Sequence, residues 1–469
     1  MDDWKSRKMP EGLKPKGRPV GSTELAWCRA VLSGTGITVL VLQASKRPEI
    51  SNLRNALHKL QNSHPILRSK LHYSAATNSF SFVVPSVSHL QIEAFDLSST
   101  HRIFQNTSAT SIAPLQKVLE HELNVNPWST RAAGSEMEVN VLFASVYEIK
   151  DAKWVLALRL HTAACDRATA VGLLRELKAL MGGADQREVW SEGGINMGIE
   201  DLIPDGQAKK PIWAHGLDTL SYSLRSLRLT NLEVINAGGP RFSQVVRLQL
   251  GRHETQHILE GCKSRKIKLC GVLAAAGIMA GNSWRRSATS HRKKKFGVVT
   301  LIDCRPLLEP ELSARHFGFY NSAILNTVVA GGGEGLWDLA SRCYATFARS
   351  KSNNKHFTDM ADLNFLMCKA IENPSLTPSS SLRTSLITVF EDTVIEQSGD
   401  GRQEEEVGGV EDYIGCASVH GVGTSLAVFD TVRDGRLDCA CVYPTPVHSR
   451  EQMEALVEKM KKVLVEGGY

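Results

Sequence analysis

Along the first 180 residues the spacing of hydrophobic and polar positions switches repeatedly between the period of a strand and that of a helix. ITVLVLQAS (37–45) is a run of β-branched and apolar residues and predicts a buried strand. ISNLRNALHKLQNSHPIL (50–67) changes to helical spacing, with Leu53, Ala56, Leu57 and Leu60 on one face and Ser51 placed as its N-cap. SFSFVVP (79–85) and IEAFDL (92–97) predict two more strands, the first stopped by Pro85. LQKVLEHELNVNPW (115–128) predicts a short helix broken at Asn126-Pro127. EVNVLFASVYEI and WVLALRLHT predict a hairpin turning at KDAK (150–153), and a helix starting at Asp166 puts Val171, Leu174 and Leu177 on one face.

From about Met181 to Gly206 the pattern breaks into turn sequences, GGADQ, SEGGIN and IPDG. KKPIWAHGLDTLSYSLRSLRL (209–229) then predicts a helical connector, so the boundary between two halves falls around residues 185–240. The alternation resumes with a small-residue helix, LCGVLAAAGIMAG (269–281), and strands at FGVVTLIDCR (296–305), SAILNTVV (322–329) and LRTSLITVFEDTV (382–394). SGDGRQEEEVGGVED (398–412) is acidic and Gly-rich and predicts an exposed loop. Two closing strands, TSLAVFDTV and LDCACVYP, turn at RDG, and a final helix carries Met453, Leu456, Met460 and Leu464 on one stripe. The expected organisation is α/β: a flexible basic N-terminus over 1–20, an N-terminal half over 21–190, a connector over 191–240, and a C-terminal half over 241–469 that carries the acidic loop.

Composition narrows the classes without choosing one. A chain of 469 residues with 42% hydrophobic and 22% charged residues is a folded protein too long for one ordinary core. The net charge of +6 is small for this length. The basic run SWRRSATSHRKKKF (283–296) lacks interleaved stacking residues, which argues against nucleic acid and leaves a solvated loop or a landing site for a cofactor phosphate. Ten cysteines show no disulfide framework, and Cys439 and Cys441, two apart, do not have a zinc or redox spacing. The first residues hold no apolar leader, and no stretch reaches the roughly 20 apolar residues of a membrane span, so a cytoplasmic protein is expected.

Most short motifs fail on chemistry. GGGEG (331–335) lacks the Lys-Ser/Thr pair of a phosphate loop and reads as a turn. His121-Glu122 has no second histidine four residues on, and His161 and Cys165 straddle a strand end, so no metal site is expected. No G-x-S-x-G elbow is present. What remains is HTAACDR (161–167), where a strand ends in a turn bearing His161 and Asp166. General-base catalysis suits such a place, because histidine titrates near neutral pH.

At HTAACD the chain resembles the condensation-domain and BAHD-type superfamily of CoA- or carrier-dependent acyltransferases, which carry His-His-x-x-x-Asp-Gly there. The resemblance extends over roughly residues 20–465, through STELAWCRAVLSGTGITVLVL, NSHPILRSKL, VTLIDCRPLLEPEL and FGFYNSAI. HGVGTSLAVFDTVRDGRLDCACVYPTPVHSREQM is similar to the last strands of plant condensation-domain proteins. It implies two chloramphenicol-acetyltransferase-like halves around a central channel, with the second motif histidine as base and the aspartate held by an arginine. Matched residue by residue, His161 stands at the first histidine and Asp166 at the aspartate, with Arg305 as its expected partner. The second histidine is Thr162 and the glycine is Arg167. A threonine hydroxyl is no base near neutral pH, so His161 or His420, in SVHGVGTS, must be considered in its place, with Thr162 as a polarising donor.

Two functions follow from the resemblance. One is a monomeric transferase moving an acyl group from acyl-CoA to a hydroxyl or amine of a small-molecule acceptor, with acyl-CoA as co-substrate and no bound cofactor, metal or nucleic acid. The other is a catalytically degenerate member that keeps the channel and binds a ligand or partner.

Overall fold

The computed structural model describes residues 16–86, 90–105, 112–129, 136–182, 195–211, 229–284, 293–396 and 409–467. Most of the acidic loop, most of the basic 283–296 run, most of the connector helix expected over 209–229, and residues 1–15 of the N-terminus lie outside these residues.

The described strands form three sheets. A small one holds β1 (Lys16–Pro19), β3 (Lys70–Ser74), β4 (Ser79–Val84) and β6 (Met137–Asn140). Residues 16–19, expected as part of a flexible terminus, are therefore an edge strand on β4, and Arg18 pairs with Glu24 through two hydrogen bonds of 2.6 and 2.7 Å.

The second sheet runs in the order β14 (Val410–Val419), β2 (Thr35–Ala44), β8 (Trp154–His161), β7 (Leu142–Glu148), β5 (Ile92–Phe95). β8 is its central strand, and all eight residues of WVLALRLH are buried, which explains the near-continuous apolar run. The helix Ile50–Ser63 buries Leu53, Ala56, Leu57 and Leu60 as one stripe. Its N-cap is Glu49 rather than Ser51, and the Glu49 carboxylate accepts hydrogen bonds from the side chains of Ser51 and Asn52.

The third sheet contains β9 (Phe242–Gln249), β10 (Lys294–Asp303), β11 (Asn321–Ala330), β12 (Arg383–Phe390), β13 (Val394–Glu396), β15 (Gly423–Arg433) and β16 (Arg436–Thr445). Helices Leu269–Trp284, Leu336–Ser352 and Arg450–Glu466 contribute to the core on this sheet, the last through Met453, Leu456, Met460 and Leu464.

Chain order and sheet membership part company at β14. Its first residues, 410–412, belong to the segment expected as an acidic loop, and it pairs antiparallel with β2 from Val410↔Ala44 to Val419↔Thr35. A strand from the C-terminal part of the sequence thus completes the N-terminal sheet, and β15 immediately returns to the third sheet. The two sheets face each other across a cavity of about 270 Å³.

Candidate active site

The cavity begins where β8 ends. Residues 162–164 form one 3-10 turn, and Asp166 caps the helix Arg167–Met181 by accepting the amide of Thr169 at 2.8 Å. That cap satisfies one of the orphan amides of the first turn and fixes the direction of the helix.

Asp166 does more than cap. Its two oxygens meet Arg305 at 3.0 and 2.9 Å, and the backbone amide of Tyr320 donates to it at 2.8 Å. Arg305 also donates to Asp303 and Thr169 side chains and to the His316 carbonyl. Both side chains of the pair are almost wholly out of water, at 1% and 0% exposure. Burial alone would lower the Arg305 guanidinium's hold on its proton, but the charges of Asp166 and Asp303 raise it above its ordinary value. The aspartate is fully engaged and has no free lone pair aimed at a substrate.

His161 and Thr162 take opposite sides. Thr162 lines the cavity and its Oγ1 lies 2.8 Å from Oγ1 of Thr38 on β2. His161 does not line it: the ring is wholly buried on the side of β8 that also carries Arg159, which pairs with Glu122. His161 Nδ1 accepts the Ala163 amide at 3.1 Å, its Nε2 has no hydrogen-bond partner, and the ring meets Trp128 at right angles at 5.0 Å. Burial pushes its pKa down to about 3, so the imidazole is a weak proton acceptor as well as a remote one.

His420 sits in the turn between β14 and β15. Val419 and Val422 line the cavity, whereas the imidazole lies against Gly34, where an added Cβ would fall 2.0 Å from Nε2. Its Nδ1 is 3.0 Å from the Ser243 hydroxyl. Burial, then the nearby charges of Arg383 and Arg241, bring its pKa down to about 4. Neither histidine faces the space above Thr162.

The other ionisable groups on the wall are also committed. The Cys165 thiol is held protonated by burial and by the Asp166 charge, and burial does the same to Cys416. Glu396 accepts the Tyr413 hydroxyl at the far end. Tyr413 stands four strand positions from Ala417, the partner of Thr38, which is about 13 Å along β14. Around Thr162 itself the wall includes Thr38 and Trp27, the latter packed on Phe319, with Gly36 keeping the floor open. At φ +94, and with a Cβ there only 2.9 Å from the Trp27 ring, Gly36 has no substitute. Among the described residues no cluster of three or more histidine, cysteine, aspartate or glutamate side chains could hold a metal ion.

No family model matches the sequence, and no curated protein matches it. Solved structures do. Trichothecene 15-O-acetyltransferase from Fusarium sporotrichioides superposes with a TM-score of 0.71 at 11% identity, over 96% of this chain and 94% of that one. The chain has the condensation-domain and acetyltransferase fold. Polyketide synthase associated protein 5 from Mycobacterium tuberculosis matches with a TM-score of 0.64 at 18% identity, covering 96% and 98% of the two chains. The first condensation domain of the calcium-dependent antibiotic synthetase, solved with a substrate analogue, matches at 0.63 and 12% identity over 97% of each. This is the chloramphenicol-acetyltransferase-like arrangement that the HTAACD resemblance implies. At these identities the likeness is one of fold.

What sequence reasoning did not reach is the opposite wall. Thr388 and Thr424, on β12 and β15 of the third sheet, line the cavity, as does Ser418 on β14 of the second sheet; the Ser418 hydroxyl accepts the Ile37 amide at 2.9 Å and that of Thr424 donates to the Leu426 carbonyl at 3.0 Å. Their signal is weak because Ser and Thr at alternate strand positions look like an ordinary solvated face.

Proposed function

We propose that this condensation-fold protein is catalytically degenerate and binds one elongated, mainly apolar ligand in the cavity. The ligand's single hydrogen-bonding group, a carbonyl or hydroxyl, is held at the Thr38–Thr162 pair. The observation that carries this reading is the neutrality of the centre. The position of the expected base is a hydroxyl at 2.8 Å from a second hydroxyl, and His161 and His420 both lie off the wall. When Thr38 donates to Thr162, the Thr162 O–H is free for an incoming carbonyl oxygen; in the reverse arrangement the Thr38 O–H turns to the Cys165 carbonyl at 3.4 Å, and a ligand O–H can donate to the pair instead.

A second reading, an acyl-CoA-dependent transferase acting on a hydroxyl or amine, is favoured by the TM-score of 0.71 to an acetyltransferase. In that case Thr162 polarises the thioester and positioning supplies the rate. Thiol release from acyl-CoAs with alcohol and amine acceptors, read beside equilibrium binding of an apolar fluorescent probe, decides between them. The expected result is probe binding without turnover in wild type, His161→Ala and His420→Ala, and turnover gained by Thr162→His. Turnover in wild type that Thr162→Val abolishes would establish the transferase.

A further inference from the structure

The ladders along one edge of β15 leave a gap. β12 pairs with it as far as Thr388↔Ala427, and β13 resumes at Val394↔Thr431, so Val428–Asp430 is left without a strand partner on that edge. The first residue of the motif helix fills the space. The Arg167 guanidinium donates to the Asp430 carbonyl, to Asp430 Oδ1 at 3.0 Å and to the Asp392 carbonyl at 3.1 Å. Its plane lies over Phe390, with Cζ 4.2 Å from the ring centroid, and Phe390 packs on Phe429 at 5.1 Å. Arg167, Phe390 and Phe429 all line the cavity. The carboxylate it meets is 1% exposed, with its second oxygen unpartnered.

We infer that Arg167 seals the third sheet between β12 and β13 and thereby sets how long a ligand the cavity accepts beyond Thr162. This rests on the ligand-binding reading for its length dependence, and on geometry alone for the seal. A side chain of this size, held by three acceptors and stacked on the Phe390 ring, is a fixed stop. A glycine in its place removes the stop and opens the gap in the strand ladder.

The test has two arms, both on the full-length chain. Arg167→Gly strands the buried Asp430 carboxylate and can fail to fold, so Arg167→Gly/Asp430→Asn, which neutralises that carboxylate, and Arg167→Lys, which keeps a long side chain there, accompany it. In the first arm, primary alcohols of increasing chain length displace N-phenyl-1-naphthylamine. Each methylene that finds apolar wall raises affinity about four-fold, up to a cut-off. The cut-off moves to longer chains by roughly four methylenes in the glycine variants and stays put in Arg167→Lys. In the second arm no ligand is used: a small thiol reagent is read by peptide mapping. Cys165 and Cys416, on the cavity wall, label several-fold faster in the glycine variants, while Cys343, in the helical layer, does not change. An unchanged cut-off with unchanged labelling in a folded glycine variant overturns the inference. Faster labelling with no alcohol bound by any variant keeps the seal and removes the ligand reading.

Discussion

The two ends of HTAACD are built to different standards. At the Asp166 end every polar atom of a buried ion pair has a partner, and five groups from three segments converge on it. At the His161–Thr162 end the imidazole has an orphaned nitrogen in the core, and the cavity side carries only hydroxyls. The difference separates scaffold from chemistry. A buried charge pair cannot lose one member cheaply, because the survivor is left uncompensated in a low dielectric. A base that faces a cavity can be replaced by a small neutral side chain with little cost to folding.

The comparison can be broken most strongly at its rigid end. Asp166→Ala leaves Arg305 without its main counter-charge and should cost about 3–5 kcal/mol of stability, read as a lower urea midpoint. A broader effect comes from acid. His161, His356, His420 and His448 all have pKa values lowered by burial, to about 3 for the first and about 4 for the others. Lowered folded values mean that the unfolded chain takes up protons first. The stability they contribute is complete above about pH 6.5 and drains as the pH falls toward 4, with an uptake on unfolding that approaches one proton per buried histidine. Urea titrations from pH 7 to 4.5 should show the midpoint falling throughout, and a flat profile would contradict the burial of these rings.

Thr162→Val tests the soft end. It removes the Thr38 contact and should cost about 1 kcal/mol of stability, while weakening a carbonyl ligand by about ten-fold. His420→Ala sharpens the contrast with the smallest effect: ligand affinity should stay within about two-fold of wild type, since the ring packs on Gly34 outside the wall.

Much of this architecture was legible because period is a local property. The buried run of β8 and the stripe of Leu53, Ala56, Leu57 and Leu60 are written in short windows. The Asp166–Arg305 contact joins residues 139 positions apart, so chemical type names such partners and only the fold brings them together. β14 was the harder case. YIGCASV mixes small and polar residues because several of its positions face the cavity, and it follows a glutamate-rich stretch, so nothing local distinguishes it from loop. Arg167 was visible as a departure from the motif, but not as a bridge to Asp430, since the gap it fills is a property of three strands together.

The placement of β14 has a consequence during synthesis. β2 ends at Ala44, yet its outer neighbour, ending at Val419, leaves the ribosome only after all the strands between them. For the intervening stretch of translation the N-terminal sheet presents an open, β-branched edge, the kind of surface that recruits foreign strands. A chain cut after residue 396 keeps that edge permanently and should aggregate.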